Sequence, residues 1–257
     1  MAAKDDARAL VAKFAARDAS SIWINIRRGD VARDLRTRID SPNLVDSSLV
    51  NLCGPAAFFR NLDLDDPVSY VTAAIDLYDK TTCSIGTLNV RTNTWLWTSS
   101  APKGMTSVDW MMLASLRNSQ NTAVRYESAS DGFAGITMPS GLSGWFQAAG
   151  YTSTINETNV LFTKSEAHIR RADMLYDHGY KVCLFICAKM LKAATHANRS
   201  FTPDHWVVLD SPITLQSGNI SCRVFSWGDS MPVPESGKLS VDNFLKNYYG
   251  FVAAKFR

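Results

Sequence analysis

The hydrophobic pattern of the chain changes near residue 180, and this change constrains the fold more than any other feature of the sequence. Upstream, apolar residues recur at helical spacing, as in residues 3–17, where Leu10, Val11 and Phe14 lie on one stripe. Downstream, short apolar runs separated by polar turns are typical of strands. Because helices come first and strands come later, the sequence predicts an α+β fold.

Capping and turn residues set the bounds of the predicted elements. Pro55 fits only the first turn of a helix, and Asp65-Asp66-Pro67 is a helix-start signature. We expect helices over residues 3–17, 53–62, 68–79, 107–118 with Ser107 as N-cap, 139–149, 166–178 and 240–249. We expect strands over residues 82–90, 181–187, 205–209, 220–226 and 251–256.

Length and composition predict one domain over residues 1–257, with residues 1–45 as an N-terminal helical extension. A chain of this size buries about three quarters of its unfolded surface and needs no disulfide. Its five cysteines are irregularly spaced and predict no disulfide framework, so we expect a reducing compartment. Cys183 and Cys187 lack partners at ligand spacing, and we expect neither a metal nor a cofactor.

Charge and hydropathy argue against several classes of partner. The net charge is +3, and the basic residues of the stretch 27–38 alternate with aspartates, which does not favour nucleic acid. No apolar run reaches the ~18 residues of a membrane span, and charges open the chain where a signal peptide is apolar. We therefore expect a protein made in the cytoplasm without a signal peptide, with export by a specialised secretion system left open.

The stretch VNLCGPAAFF places Cys53 in the first turn of a predicted helix. A helix N-terminus favours a thiolate through its N–H groups and positive dipole end. Gly54 lets a substrate approach the backbone, Pro55 costs no hydrogen bond there, and the N–H groups are suited to bind an oxyanion. The alternative is a buried, inert thiol, which we expect of Cys83, Cys183, Cys187 and Cys222.

His205 is the histidine best placed to act as the base for this thiol. It opens an apolar strand directly after a loop, where a side chain is held rigidly and still faces a cleft. Asp210 lies at an odd offset on the same strand, so it points to the opposite face and lies about 16 Å away. The remaining histidines lie in polar segments and are expected at the surface: His168, His178 and His196.

The next strand is the better source of a side chain that orients the imidazole. A hairpin that turns near Ser217-Gly218 places His205 opposite the segment that contains Asp229. Asp229 is therefore the predicted third residue, and Ser226 is the fallback if the register slips. Trp227 either covers the hydrogen bond to the imidazole or belongs to the core.

Together these residues resemble the papain-like cysteine hydrolases. In that superfamily a cysteine opens a helix in the first half, a histidine begins a strand in the second half, and an Asn or Asp ends the following strand. The CGPA of residues 53–56 looks like that of the bacteriocin-processing C39-like peptidases, and HWVVL is similar to their histidine strand. Ser226-Trp227-Gly228 is similar to the S-W-G that follows the papain asparagine. The resemblance, over residues 47–57 and 201–229, implies a nucleophile helix packed on an antiparallel sheet.

The resemblance implies a cysteine peptidase or amidase with Cys53 as nucleophile, His205 as base and Asp229 as the orienting acid. It departs from the family at Ser47, where a glutamine normally helps to bind the oxyanion. The implied substrate is a protein, a peptide or peptidoglycan. One implied setting is a bacterial effector or toxin, which would have an inhibitory immunity partner.

Two alternatives use the same fold. The first is a catalytically silent binding module, with Trp95 and Trp97 as contact surface. The second is an acyltransferase or deamidase with the same triad.

Overall fold

The computed structural model describes residues 2–18, 21–120, 137–162, 164–192 and 203–257. These residues form helices and antiparallel sheet, which confirms the predicted α+β class. The chain divides into two compact units, residues 1–137 with 148–150 and residues 138–147 with 151–257. We call them the helical unit and the sheet unit. The single domain over 1–257 stays a prediction.

Helices dominate the helical unit, and they include the N-terminal segment. Helix α1 packs on α2 and α4 within this unit. Its helices are α1 Ala2–Ala15, α2 Arg28–Asp40, α3 Cys53–Asp65, α4 Pro67–Lys80, α5 Thr94–Thr98 and α6 Ser107–Gln120, with a 3₁₀ turn at Pro42–Leu44. One β-hairpin accompanies them, β1 Thr82–Ile85 and β2 Leu88–Arg91.

Helix α3, which begins at Cys53, is the central helix of this unit. Every residue from Cys53 to Asp63 is buried, as in a helix surrounded on all sides. It packs against α4 and α6. The next helix begins as the Asp-Asp-Pro signature predicts, because the Asp66 side chain accepts a hydrogen bond from the Ser69 N–H at 3.0 Å.

Two predictions for the helical unit were wrong, and one helix had been predicted without bounds. The single strand over 82–90 is a hairpin, because the chain turns at Gly86, whose φ is +58°. The cap of α6 is Thr106 rather than Ser107, since the Thr106 hydroxyl accepts the Asp109 N–H at 3.3 Å. Helix α2 falls in the charged stretch 27–38 of the predicted N-terminal helical extension, where no helix bounds were predicted.

The sheet unit is built on one antiparallel sheet. Its order is β3-β10-β4-β5-β7-β6, and β8 and β9 also pair with β7. The strands are β3 Ser153–Asn156, β4 Lys181–Ile186, β5 His205–Leu209, β6 Thr214–Gln216, β7 Asn219–Ser226, β8 Asp229–Val233, β9 Leu239–Ser240 and β10 Tyr248–Lys255. The helices are most of α7 Pro139–Ala148, then α8 Glu166–Asp177, α9 Lys189–Lys192 and α10 Val241–Lys246.

The predicted hairpin register on β5 and β7 is confirmed. Val208 lies opposite Phe225. The chain turns at Ser217 and Gly218, which have φ values of +50° and +74°. All five residues of β5 are buried, which explains its unbroken apolar run. The predicted helix over 240–249 was too long, because the chain joins the sheet as β10 at Tyr248.

Candidate functional site

Cys53 is the first residue of α3, as predicted. Its thiol is nearly enclosed, with 7% of the residue exposed. The N-cap residue is Leu52, whose side chain cannot accept a hydrogen bond from the first helical N–H groups. Pro55 lies in the first turn, where its missing N–H costs nothing. The local geometry therefore places a thiol at the positive end of a buried helix.

Gly54 has a different role from the one expected of it. A Cβ atom added to Gly54 would lie 2.3 Å from Oγ1 and 2.4 Å from Cβ of Thr137. Such contacts are not tolerated, so only glycine fits beneath Thr137. Within the helical unit, Gly54 thus makes room for a buried threonine rather than for the approach of a substrate.

A buried ion pair anchors the loop that leads to Cys53. Arg38 donates from Nε to Oδ1 of Asp109 at 3.1 Å and makes a second, shorter bond to Oδ2. The same Oδ2 accepts the backbone N–H of Asp46 at 3.2 Å. Ser47, at the position of the family's glutamine, is buried, and its carbonyl accepts the Val50 N–H at 3.0 Å. The loop is thus fixed to α2 and α6.

Arg117 is a buried residue that interacts electrostatically with Cys53 and that the sequence did not point to. It lies in the last turn of α6 and is 8% exposed. Burial lowers the pKa of the Arg117 guanidinium, and the charge of the Cys53 thiolate raises it. A cation is therefore within electrostatic reach of the thiol. No signal in the sequence marks Arg117, because its position depends on how α3 and α6 pack.

His205 begins β5, as predicted, and is held on two sides. Its Nε2 lies 2.7 Å from Oγ of Ser226, and its ring stacks on the Trp227 indole at a centroid distance of 4.7 Å. Only 5% of His205 is exposed. Burial lowers the pKa of the imidazole to about 4, so the ring is neutral at pH 7. Trp227 thus covers the hydrogen bond to the imidazole.

Ser226, the fallback residue, occupies the position beside the imidazole. The chain reverses at Trp227 and Gly228, both at positive φ, which fits a type I′ turn. This reversal pairs Asp229 with Ser226 across the hairpin. The exposed Asp229 carboxylate accepts the Ser230 N–H at 2.7 Å. The role of Asp229 as the orienting acid stays a prediction, and the geometry favours Ser226 over Asp229 for this role.

The full triad also stays a prediction. Cys53 belongs to the helical unit, whereas His205 and Ser226 belong to the sheet unit. The structure brings His205 and Ser226 into contact. Asp210 follows β5 at the end away from His205, as expected from the strand offset.

Two predictions about the other histidines are tested. His178 is exposed, as expected. The surface position of His168 was wrong, because its Nδ1 lies 3.1 Å from the Tyr248 hydroxyl and its Nε2 lies 3.3 Å from Glu157. His196 lies outside the described residues.

Trp95 and Trp97, the proposed contact surface of a binding module, are both half-buried. Trp95 packs edge-on against Trp110 with 6.0 Å between ring centroids, and the Trp97 indole N–H donates to the Thr92 hydroxyl. Packing inside the helical unit therefore accounts for much of their surface.

The cysteines provide an internal comparison for Cys53. All five are buried thiols outside any disulfide. Burial raises the pKa of Cys83 and of Cys222 to about 12, so these two thiols are protonated at neutral pH. Within the described ranges, no three His, Cys, Asp or Glu side chains are grouped so as to hold a metal ion.

Comparison of the chain with protein-family models, with curated proteins and with solved structures gives no match. In the described part of the chain, no helix has both the length and the apolar character needed to cross a membrane.

Proposed function

We propose that the chain is a papain-like cysteine hydrolase that cleaves an amide bond. The observation that carries the proposal is the environment of His205 at the start of β5. One ring nitrogen contacts the Ser226 hydroxyl at 2.7 Å, and the Trp227 indole covers the ring. An imidazole fixed through one nitrogen leaves the other to accept a proton. Cys53, at the start of a buried helix, is the matching nucleophile.

In the proposed mechanism, the hydrogen bond to Ser226 selects the tautomer of His205. When Nε2–H donates to the Ser226 hydroxyl, Nδ1 carries the lone pair and acts as the base. Burial keeps the ring neutral before the reaction, but a pKa of about 4 also makes it a weak base, so the proposed proton transfer requires the negative sulfur beside the ring to raise this pKa as the charge pair forms. Because a hydroxyl carries no charge, Ser226 orients the ring but stabilises an imidazolium less than a carboxylate would.

The reaction then proceeds by acyl transfer. The Cys53 thiol gives its proton to Nδ1 of His205, and the sulfur attacks the carbonyl carbon of the amide. The negative charge moves to the carbonyl oxygen, where N–H groups at the start of α3 stabilise it. His205 returns the proton to the leaving amine, which departs and leaves a thioester on Cys53. Water, deprotonated by His205, releases the acid and restores the thiol.

The proposed substrate class is an amide in a protein, a peptide or peptidoglycan. An acyltransferase or deamidase would use the same first steps and differ in the acceptor or in the amide attacked. A catalytically silent module would retain the fold without a reactive thiol. The experiment must therefore test the thiol first.

The test is alkylation of the full chain by iodoacetamide at pH 7, followed residue by residue by mass spectrometry. We expect Cys53 to react about thirtyfold faster than an ordinary exposed thiol, because such a thiol is only a few per cent ionised at this pH. Cys83 and Cys222 serve as unreactive internal references. His205→Ala should remove most of the advantage of Cys53.

The matched control is His178→Ala, which changes an exposed histidine and should leave the labelling unchanged. Equal, slow labelling of all five cysteines would overturn the enzyme proposal and favour the silent module. Rapid labelling of Cys53 that His205→Ala leaves intact would overturn the role of His205.

A further inference from the structure

The outer face of the β1–β2 hairpin carries two cross-strand pairs of polar side chains. Thr82 lies opposite Arg91 and Ser84 lies opposite Asn89, whereas the apolar pair between them is buried. Thr82 is half-buried, and the other three residues are exposed. The Ser84 hydroxyl donates to Oδ1 of Asn89 at 2.7 Å. The hairpin therefore presents hydroxyl, amide and guanidinium groups along one face.

Two adjoining cavities lie along the hairpin and form one groove. A cavity of about 550 Å³ is lined by both strands and by Asn118 and Ser119 at the end of α6. A second cavity, of about 440 Å³, extends to Trp97 in α5. The two cavities share four lining residues: Thr82, Arg91, Thr92 and Asn93. Both volumes fall in the range of small-molecule sites, about 300–1,000 Å³. We call this feature the hairpin groove.

Hydrogen bonds within the helical unit fix the walls of the hairpin groove. The Gln120 side-chain amide donates to the Asn89 carbonyl at 2.8 Å, which ties β2 to α6. The Thr92 N–H donates to the Thr81 carbonyl at 2.9 Å. The Trp97 indole N–H donates to the Thr92 hydroxyl, so the indole offers the groove its apolar ring surface. Because these walls are already ordered, a ligand loses less free energy to ordering the site.

The lining of the hairpin groove favours one ligand chemistry. Most of its side chains are hydroxyls and amides, which both donate and accept hydrogen bonds, as sugar hydroxyls do. Trp97 adds a flat apolar surface that suits the C–H face of a sugar ring. Among the described residues that line the two cavities, Arg91 carries the one charge. A guanidinium binds a carboxylate through two parallel hydrogen bonds.

We propose that the hairpin groove binds a saccharide that carries a carboxylate. Arg91 lines both cavities and binds the carboxylate where they meet. Asn118 and Ser119 bind sugar hydroxyls on one side, and Trp97 packs on a sugar ring on the other. A peptide fits less well, because peptide recognition relies on apolar pockets and this lining is mainly polar. Binding here uses neither the proposed nucleophile nor the proposed base, so it goes beyond the proposed function.

Isothermal titration calorimetry of the full chain tests this proposal with two matched pairs of disaccharides. Cellobiouronic acid is compared with neutral cellobiose, and N-acetylglucosaminyl-N-acetylmuramic acid is compared with neutral N,N′-diacetylchitobiose. The first pair tests a carboxylate on the sugar ring, and the second tests one on the side chain of an acetamido sugar. We expect the acidic member of at least one pair to bind about tenfold more tightly than its neutral counterpart, because Arg91 adds a charge-assisted hydrogen bond.

Three variants separate the charge from the shape of the groove. Arg91→Met keeps the apolar stem of an exposed side chain, and it should remove the preference for the acidic sugar while neutral binding is retained. Asn118→Asp is nearly isosteric and places a negative charge in the larger cavity, so it should weaken the acidic sugar more than the neutral one. Arg36→Met changes an exposed arginine of α2 and is the matched control, which should leave both affinities unchanged.

Three results would overturn the proposal. The first is that none of the four sugars binds at millimolar concentration. The second is an acidic preference that Arg91→Met leaves intact or that Arg36→Met removes equally. The third is a blocked tripeptide with one glutamate that binds as tightly as the acidic sugar, which would assign the groove to a peptide. The titration needs no reactive thiol, so a failure of the hydrolase proposal leaves its result unaffected.

Discussion

The imidazole of His205 stacks on the indole of Trp227, with 4.7 Å between the ring centroids and 26° between the ring planes. Trp227 holds this position with a φ of +51°, a backbone conformation that bulky residues rarely adopt. Such a conformation costs about 1–3 kcal/mol and persists only where surrounding contacts enforce it. The strain lies at the residue that covers the proposed base.

Replacing Trp227 by glycine tests whether the indole controls the titration of His205. Glycine adopts the positive φ without strain, so the turn is preserved while the cover is removed. We expect the pKa of His205 to rise from about 4 towards its ordinary 6.5, because water regains access to the charged ring. An NMR titration of the ring protons measures this change. The exposed His178 is the internal control, and a His205 pKa that stays near 4 would contradict the prediction.

The roles of Ser226 and Asp229 are separated by one pair of variants. Ser226→Ala removes the hydrogen bond at Nε2 and leaves a buried ring nitrogen unpaired, which costs about 1–3 kcal/mol. We expect the rate of Cys53 alkylation to fall about tenfold. Asp229→Asn should change this rate less than about twofold, since the Asp229 side chain is exposed and bonded to Ser230. A loss in Asp229→Asn as large as that in Ser226→Ala would restore Asp229 as the orienting residue.

The contact between Gly54 and Thr137 predicts a compensating pair of substitutions. Gly54→Ala forces a methyl group against Thr137 and should lower the free energy of unfolding by about 1–3 kcal/mol. Thr137→Gly removes the opposing atoms, so the double variant should recover most of the loss in a double-mutant cycle. Urea denaturation gives the free energies.

Gly29→Ala is the matched control, because nothing lies within 4 Å of its added Cβ. It should be neutral or stabilising by up to about 1 kcal/mol. A double variant no more stable than Gly54→Ala would show that Thr137 is not the obstacle.

The burial of the Asp63 carboxyl predicts that the stability of the protein depends on pH. Asp63 is 0% exposed, neither carboxyl oxygen has a hydrogen-bond partner among the described residues, and burial raises its pKa to about 7. Lys4 and Arg38 lower this pKa without cancelling the effect of burial. The pKa of Asp63 is higher in the folded than in the unfolded chain. The protonated Asp63 carboxyl therefore contributes its full share of the free energy of unfolding below about pH 4, and this contribution is lost as the pH rises to 7. The loss reaches about 4 kcal/mol.

Asp63→Asn should therefore match the wild type near pH 4 and exceed its free energy of unfolding near pH 7.5. Urea denaturation at the two pH values measures the difference. Glu235→Gln, at an exposed site, should give nearly the same difference at both values. An Asp63→Asn variant that gains no stability between pH 4 and pH 7.5 would refute the assignment.

Local patterns predicted the elements well where the signal lies within a few residues. The proline and acids before α4 predicted its start, and the apolar run of β5 predicted a buried strand. The stretch 27–38 was interpreted as alternating charge within the predicted helical extension, without helix bounds. Helix α2 forms there because Val31, Leu35 and Ile39 bury one face of it. A second reason is the ion pair of Arg38 with Asp109, which lies far along the chain.

The candidate site was predicted in part, and each of its gaps has a physical cause. Cys53 and His205 were found from the turn residues and apolar runs beside them. Ser226 was only a fallback, because the reversal at Trp227 uses a conformation that propensity assigns to glycine or asparagine. Arg117 was missed because its place depends on how two helices pack, and helix packing leaves no local mark in the sequence.

The division of the chain has a consequence for the order of synthesis. The helical unit comes almost entirely from the first 137 residues, whereas His205 is translated much later. Ribosomes add about 5–20 residues per second, so synthesis of residue 137 precedes synthesis of His205, the proposed base, by roughly 3–14 s. Domains generally fold as units in the order of their emergence. A nascent chain therefore carries Cys53 in place before it carries its proposed base.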